Sequence, residues 1–133
     1  MIVALLAGAV IAAYVVLATL EPDARGLGTH EQLGMAPCGW PARHGMPCPT
    51  CGITTSAALV LDLRLLAAFS TQPLGALLTL AGATFAVAGI VHAVRGRSLM
   101  ARLSWWRWGW IGIGTLVVVL LSWWYVVSSH AGR

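Results

Sequence analysis

The sequence predicts an all-α integral membrane protein: three transmembrane helices, a cysteine-containing extracytoplasmic loop and short interfacial helices, in one membrane domain over residues 1–133. Three observations carry that expectation. Of the 133 residues, 59% are hydrophobic and only 9% are charged, far from the balance of an ordinary globular chain. Acidic and basic residues are missing from three runs, Ile2 to Leu20, Leu74 to Val94 and Trp108 to Ser128. Each run can cross a hydrocarbon core of roughly 30 Å at about 1.5 Å per helical residue. Stretches such as Val117-Val118-Val119-Leu120-Leu121 lack the alternation of a transmembrane barrel, and a soluble bundle is excluded by the same runs.

The first span is expected at about 2–20. No Lys or Arg precedes it and Ala7-Gly8-Ala9 comes too early for a cleavage site, so it reads as an uncleaved helix rather than a signal peptide. Residues 21–50 then change character, with Pro22, Pro37, Pro41, Pro47 and Pro49 among several glycines. No regular element is expected to survive there. So long a connection in so small a chain is functional or disordered, and Cys38, Cys48 and Cys51 argue for order.

Residues 51–70 read as two short helices at the outer interface, because the ten apolar-leaning positions from Gly52 to Leu61 reach only about 15 Å as helix. Asp62 interrupts them and is placed to cap the second. Were 52–70 to cross fully, there would be four spans. Pro73 is suited to open the next span, at about 74–94. The third, at about 108–128, is flanked by Trp105, Trp106, Trp108 and Trp110 at one end and Trp123, Trp124 and Tyr125 at the other, as expected of rings at headgroup level. Two stripes of small residues, Ala4-Gly8-Ala12 and Gly75-Gly82-Gly89, mark expected faces of close helix approach.

Charge sets the expected topology. Arg95, Arg97, Arg102 and Arg107 crowd the link between the second and third spans, whereas Glu21, Asp23, Glu31 and Asp62 all lie between the first and second. The positive-inside tendency puts that link and the N-terminus in the cytoplasm and the cysteine loop outside. A formal charge of +4, scattered as it is, gives no footprint for nucleic acid. No phosphate loop, nucleotide fingerprint, Ser-His-Asp order or carboxylate pair appears.

The sharpest local feature is Cys48-Pro49-Thr50-Cys51-Gly52 with Cys38 upstream, a C-x9-C-x2-C spacing. Three chemistries fit it. As a metal knuckle, its N–H groups would face the sulfurs, and tetrahedral zinc would take Cys38, Cys48 and Cys51 with His44 or His30 as fourth ligand. Met35 and Met46 are soft enough to admit copper as Cu(I). As a redox pair, Cys48 would be the helix N-cap with Pro49 at N1, a setting that lowers a thiol pKa; Cys48 would attack and Cys51 resolve. As a staple, a disulfide of Cys38 with Cys48 or Cys51 would order the loop without catalysis. His92, three residues before Arg95, is the titratable side chain inside a span and reads as solvated near the headgroups.

At Cys48-Pro49-Thr50-Cys51-Gly52-Ile53-Thr54 the chain resembles the bacterial domain-of-unknown-function 2752 family, small inner-membrane proteins with a C-P-x-C-G-apolar-T signature. The likeness takes in Cys38, Gly45, Asp62 and Gln72-Pro73-Leu74. It departs where the family usually has Arg after the threonine, here Thr55, Gly before the Asp, here Leu61, and Asn before the Pro, here Gln72. Losing that Arg removes a cation beside the thiols. The resemblance implies the architecture and the place of the site, and no activity. The expected role is an accessory or assembly subunit with a structural cysteine knot, held by disulfide or metal, that meets another membrane protein or its own copy in the bilayer. A membrane thiol oxidoreductase and a zinc- or copper-binding protein are the alternatives.

Overall fold

The computed structural model describes residues 2–95 and 108–131. Arg97, Arg102, Arg107, Arg133, Trp105 and Trp106 lie outside the described residues. Within them the chain is helical and has no strand. The helices are α1 (Ile2–Leu17), α2 (Gly39–His44), α3 (Ile53–Leu61), α4 (Leu65–Thr71), α5 (Pro73–Val94) and α6 (Trp108–Ala131), with a 3-10 turn at Thr29–Leu33. Two of these are long and apolar enough to cross a membrane, over Pro73–Val94 and Gly109–Ser129. With 16 residues, α1 covers about 24 Å and falls short of the span expected at 2–20. The cause is local: a turn takes the chain from Ala18 to Leu20, and Pro22 bars helix at the residue before it.

Small residues decide how α1 meets α5. Tyr14 of α1 donates its hydroxyl to the Thr79 carbonyl, and Gly82 leaves that hydroxyl its room. One end further, Gly89 lies against Ala7 and Val3, so the two helices run antiparallel. The glycine stripe of α5 therefore packs as expected, with Gly75 set against Ile53 and Ser56 of α3. The stripe expected on α1 does not: Ala4, Gly8 and Ala12 are exposed, and a Cβ on Gly8 would meet nothing within 4 Å. The buried face of α1 runs through Ala7 instead, because α5 is already thin at Gly82 and Gly89 and accepts the larger Val3 and Tyr14.

Helix α3 is the hub. Its residues Thr55 to Val60 are all buried, and Leu59 and Val60 form a small core with Ala68 of α4 and Ala76 of α5. The Ser56 hydroxyl, 2.9 Å from both the Ala68 and Gln72 carbonyls, ties α3 to the joint where α4 passes into α5. Pro73 occupies the first turn of α5 as expected. Asp62, by contrast, ends α3 rather than capping α4, whose N-cap is Arg64. Leu63 takes the left-handed conformation at φ 61°, and the N–H groups of Leu63 and Arg64 bond the Val60 and Leu59 carbonyls, closing a Schellman motif in which the ordinary residue is Gly.

The loop 21–50 also departs from expectation, since it holds the 3-10 turn and α2. Glycines at φ 92° and 78° bracket the 3-10 turn and Gly45 at φ 65° ends α2, so glycine here starts and stops short helices rather than abolishing them. At this end of the bundle lie the C-terminal end of α1, the start of α5, the last turns of α6, and α3 and α4. The cysteines are here too.

Candidate functional site

The cysteine turn is built from backbone outward. The Cys51 N–H reaches the Cys48 carbonyl at 3.1 Å and the Ile53 N–H the Thr50 carbonyl at 3.2 Å, two successive tight turns that precede α3. Gly52 is the N-cap of that helix, at φ 86°. Thus Cys48 is not the N-cap and Pro49 is not its first residue, contrary to the sequence reading; the helix begins five residues after Cys48. Gly52 is required twice over. Its backbone is left-handed, and a Cβ would stand 2.9 Å from the Gly26 carbonyl oxygen, where no adjustment of a side chain can make room.

The three sulfurs lie within 4.8 Å of one another. Cys48 is central, its Sγ 2.6 Å from that of Cys51 and 3.7 Å from that of Cys38. All three are free thiols, Cys38 exposed and the other two buried at 8% exposure each. The Cys48 N–H points at the Cys51 sulfur from 3.2 Å, and the Thr50 hydroxyl lies 3.3 Å from the Cys48 sulfur. The two thiols of the pair are electrostatically unequal. Burial pushes the Cys48 thiol up, but hydrogen bonds from Cys51, from the side chain and N–H of Thr50 and from Cys38 outweigh it and leave Cys48 below the ordinary thiol range. Burial and the neighbouring Cys48 sulfur push Cys51 up to about 12. One sulfur is set up as the thiolate and the other as the proton-bearing thiol.

A cavity of about 570 Å³ opens beside them, lined by all three cysteines together with His30, Met35 and Thr54. His44 and Met46 are not on its wall; the ring of His44 stacks on Trp40 with centroids 4.3 Å apart. Of the ligands expected from the sequence, the structure gathers the Cys38, Cys48 and Cys51 sulfurs within reach of one another and sets His30 and Met35 on the same cavity wall. On the rim, Arg25 bridges Asp23 at 2.7 Å and Glu31 at 3.3 Å, and its hydrogen bonds hold the Asp23 carboxyl below the usual carboxylate range. Buried hydroxyls fasten the loop to α3: Thr29 and Thr55 meet at 2.8 Å, and the Asp23 N–H donates to Thr29. At Thr55, then, a small hydroxyl closes the loop onto the helix. His92, near the other end of α5, keeps its Nδ1 buried with no partner among the described residues.

Three residues that the motif does not contain hold the turn from behind. Gln72 is fully buried; its Nε2 donates to the Pro49 carbonyl at 3.0 Å, and its Oε1 accepts from the Ser122 hydroxyl. The Trp123 Nε1 donates to the Pro47 carbonyl at 3.2 Å. Sequence reasoning placed Trp123 in an aromatic belt and Gln72 before a helix-opening proline. A polar Ser122 inside an apolar run was the remaining signal, since such a group seeks a partner.

Residues 38–86 match the family described as "Protein of unknown function (DUF2752)". The matched stretch opens on Cys38 and takes in the cysteine turn, α3, α4, Gln72 and the first part of α5. The resemblance thus covers all three cysteines and Gln72, and leaves out α1, α6 and the cavity residues His30 and Met35. No curated protein and no solved structure matches the chain.

Proposed function

We propose that this chain is a three-span protein of the bacterial inner membrane that carries out thiol–disulfide exchange, with its N-terminus cytoplasmic and the cysteine loop on the oxidising, extracytoplasmic side. The observation behind the reaction is the central position of the Cys48 sulfur, between Cys51 at 2.6 Å and Cys38 at 3.7 Å on the wall of an open cavity. A separation of 2.6 Å needs only about 0.5 Å of closure to reach a disulfide bond. The Cys48 thiolate attacks one sulfur of a substrate disulfide, forms a mixed disulfide and expels the other sulfur as a thiolate, which takes up a proton. Cys51 then gives up its proton and attacks Cys48, releasing the second substrate thiol and leaving a Cys48–Cys51 disulfide. Two electrons pass to the substrate, with one proton from Cys51 and one from solvent; a substrate dithiol runs the sequence backwards.

Membrane residence is supported by two apolar helices of spanning length and by bulky side chains such as Leu5, Val87, Leu121 and Trp124 exposed around the bundle, which lipid or a neighbouring membrane protein would cover. A partner presenting a cysteine is the accessory relationship that fits this site. A purely structural knot has less behind it, because Thr29–Thr55, Asp23–Thr29 and the two Glu21–Gln32 bonds already fasten the loop without a crosslink.

One observation favours metal as a second reading. The 3.7 Å between the Cys38 and Cys48 sulfurs matches the edge, about 3.7 Å, of a tetrahedral thiolate site with zinc–sulfur bonds of about 2.3 Å. The 2.6 Å between Cys48 and Cys51 does not, and among the described residues no His stands with the three sulfurs. A trapping experiment separates the readings. Cys51→Ser in membranes should accumulate mixed disulfides through Cys48, resolved by non-reducing gels and lost in the Cys48→Ala, Cys51→Ser double variant. No adduct on Cys48, together with stoichiometric zinc or copper in the purified protein, would transfer the site to the metal reading.

A further inference from the structure

The prolines on either side of Cys48 each offer a backbone carbonyl, and each carbonyl is held by a side chain from outside the cysteine motif. A trans peptide is planar, with its C=O and N–H pointing in opposite directions, so holding the oxygen aims the hydrogen. In the Pro49–Thr50 unit the carbonyl is held by Gln72 Nε2 at 3.0 Å, and the Thr50 hydroxyl that follows lies 3.3 Å from the Cys48 sulfur. In the Pro47–Cys48 unit the carbonyl is held by Trp123 Nε1 at 3.2 Å, while the N–H of Cys48 bonds the Cys51 sulfur at 3.2 Å. From these two arrangements we propose that Gln72 and Trp123 are positioning residues for the Cys48–Cys51 pair: Gln72 sets Thr50 and its hydroxyl beside the Cys48 sulfur, and Trp123 aims the Cys48 N–H at the Cys51 sulfur. The inference rests on the exchange reading and names residues for it outside the cysteine motif.

The clamp is itself anchored. The Ser122 hydroxyl donates to Gln72 Oε1 and accepts the Leu74 N–H at 3.0 Å. This fixes which end of the Gln72 amide faces Pro49, since only the NH2 end donates. Ser122 and Trp123 are adjacent on α6, and Gln72 precedes α5, so the two spanning helices hold the thiol turn between them. Within the motif no other side chain does this, because both residues flanking Cys48 are prolines with carbonyls to offer and no N–H.

In the reduced pair one proton and one negative charge lie between the Cys48 and Cys51 sulfurs, so a donor held at either sulfur favours that state over the neutral disulfide. Releasing a clamp therefore favours the disulfide and lowers the reduction potential. The test equilibrates the full-length protein in detergent with glutathione buffers, following the reaction of the Cys48–Cys51 disulfide with two glutathiones to give the dithiol and glutathione disulfide. Gln72→Glu keeps shape and the Ser122 acceptor but loses the donor; Trp123→Phe loses the indole N–H and keeps the ring. Each should make the disulfide about tenfold harder to reduce, about 30 mV for a two-electron couple, whereas Trp124→Phe, altering an exposed neighbour, should match the wild type. If Gln72→Glu does not accumulate, Trp123→Phe decides alone. Potentials equal to wild type, with or without a lower melting temperature, would overturn the positioning role and leave the exchange reading standing. A wild-type pair that forms no disulfide in any buffer would overturn both.

Discussion

The two ends of this molecule are held together by different forces. Where α1 lies along α5, the contact is made by Gly82 and Gly89 receiving Tyr14, Ala7 and Val3, and a hydroxyl-to-carbonyl bond from Tyr14 to Thr79 is its polar link. Around the cysteines, nearly every element is tied by a directed bond: Thr29 to Thr55, Ser56 to the α4–α5 joint, Gln72 to Pro49 and to Ser122, Trp123 to Pro47. Close approach of backbones is enough to hold helices in lipid, but it sets no angles at a sulfur. An exchange-active pair of the kind proposed would need hydrogen bonds with fixed directions, and such bonds are concentrated where the thiols are.

The contrast can be broken most sharply at the thiols. Cys48→Ala should abolish all mixed-disulfide trapping while the protein persists in the membrane, measured by non-reducing gels against total protein. Next in size is Gly52→Ala, which strains a left-handed backbone and drives a Cβ into the Gly26 carbonyl; a loss of about 2 kcal/mol or more is expected in detergent denaturation, with disturbed cysteine alkylation. On the packing side a pair of substitutions sharpens the comparison. Gly82→Ala displaces the Tyr14 hydroxyl and should cost about 1 kcal/mol, whereas Gly8→Ala, in open space on the same helix pair, should be neutral or slightly stabilising. Reactivity with iodoacetamide against pH should split the pair: Cys48 labels below the pH at which an ordinary thiol does, about 8.5, and Cys51, pushed up to about 12, resists until far higher pH. A modest gain belongs to Leu63→Gly, which relieves the left-handed residue ending α3 and should raise stability by about 0.5 kcal/mol.

Much of the helical plan could be read from composition. The runs at 74–94 and 108–128 became α5 and α6 with ends within a few residues, because long uncharged stretches have one way to satisfy their backbone in lipid. The two short helices after the cysteines were also legible, from apolar lengths too short to span. Partner choice was not. Ala4-Gly8-Ala12 looks as good a packing face as Gly75-Gly82-Gly89, and nothing along the chain says that bulky Val3 and Tyr14 are the residues that fill the glycine gaps. In the site, the spacing of Cys38, Cys48 and Cys51 was enough to bring the sulfurs together in thought, while the N-cap moved from Cys48 to Gly52 because two consecutive turns fit before the helix. His44 was a ligand by proximity in sequence, and the helix Gly39–His44 places its ring on Trp40 instead. The clamps from Gln72, Ser122 and Trp123 join residues 23 to 76 positions apart, a separation at which local pattern carries no information.

What sets exchange apart from a staple or a metal site is that Cys48 and Cys51 would form a reversible couple with Cys38 as a free neighbour. Mass spectrometric mapping of alkylated full-length protein, after equilibration across a series of glutathione buffers, tests this directly. The account predicts a Cys48–Cys51 bond that opens and closes with the buffer while Cys38 alkylates throughout. A persistent disulfide that includes Cys38, or three thiols protected together until a chelator is added, would contradict it.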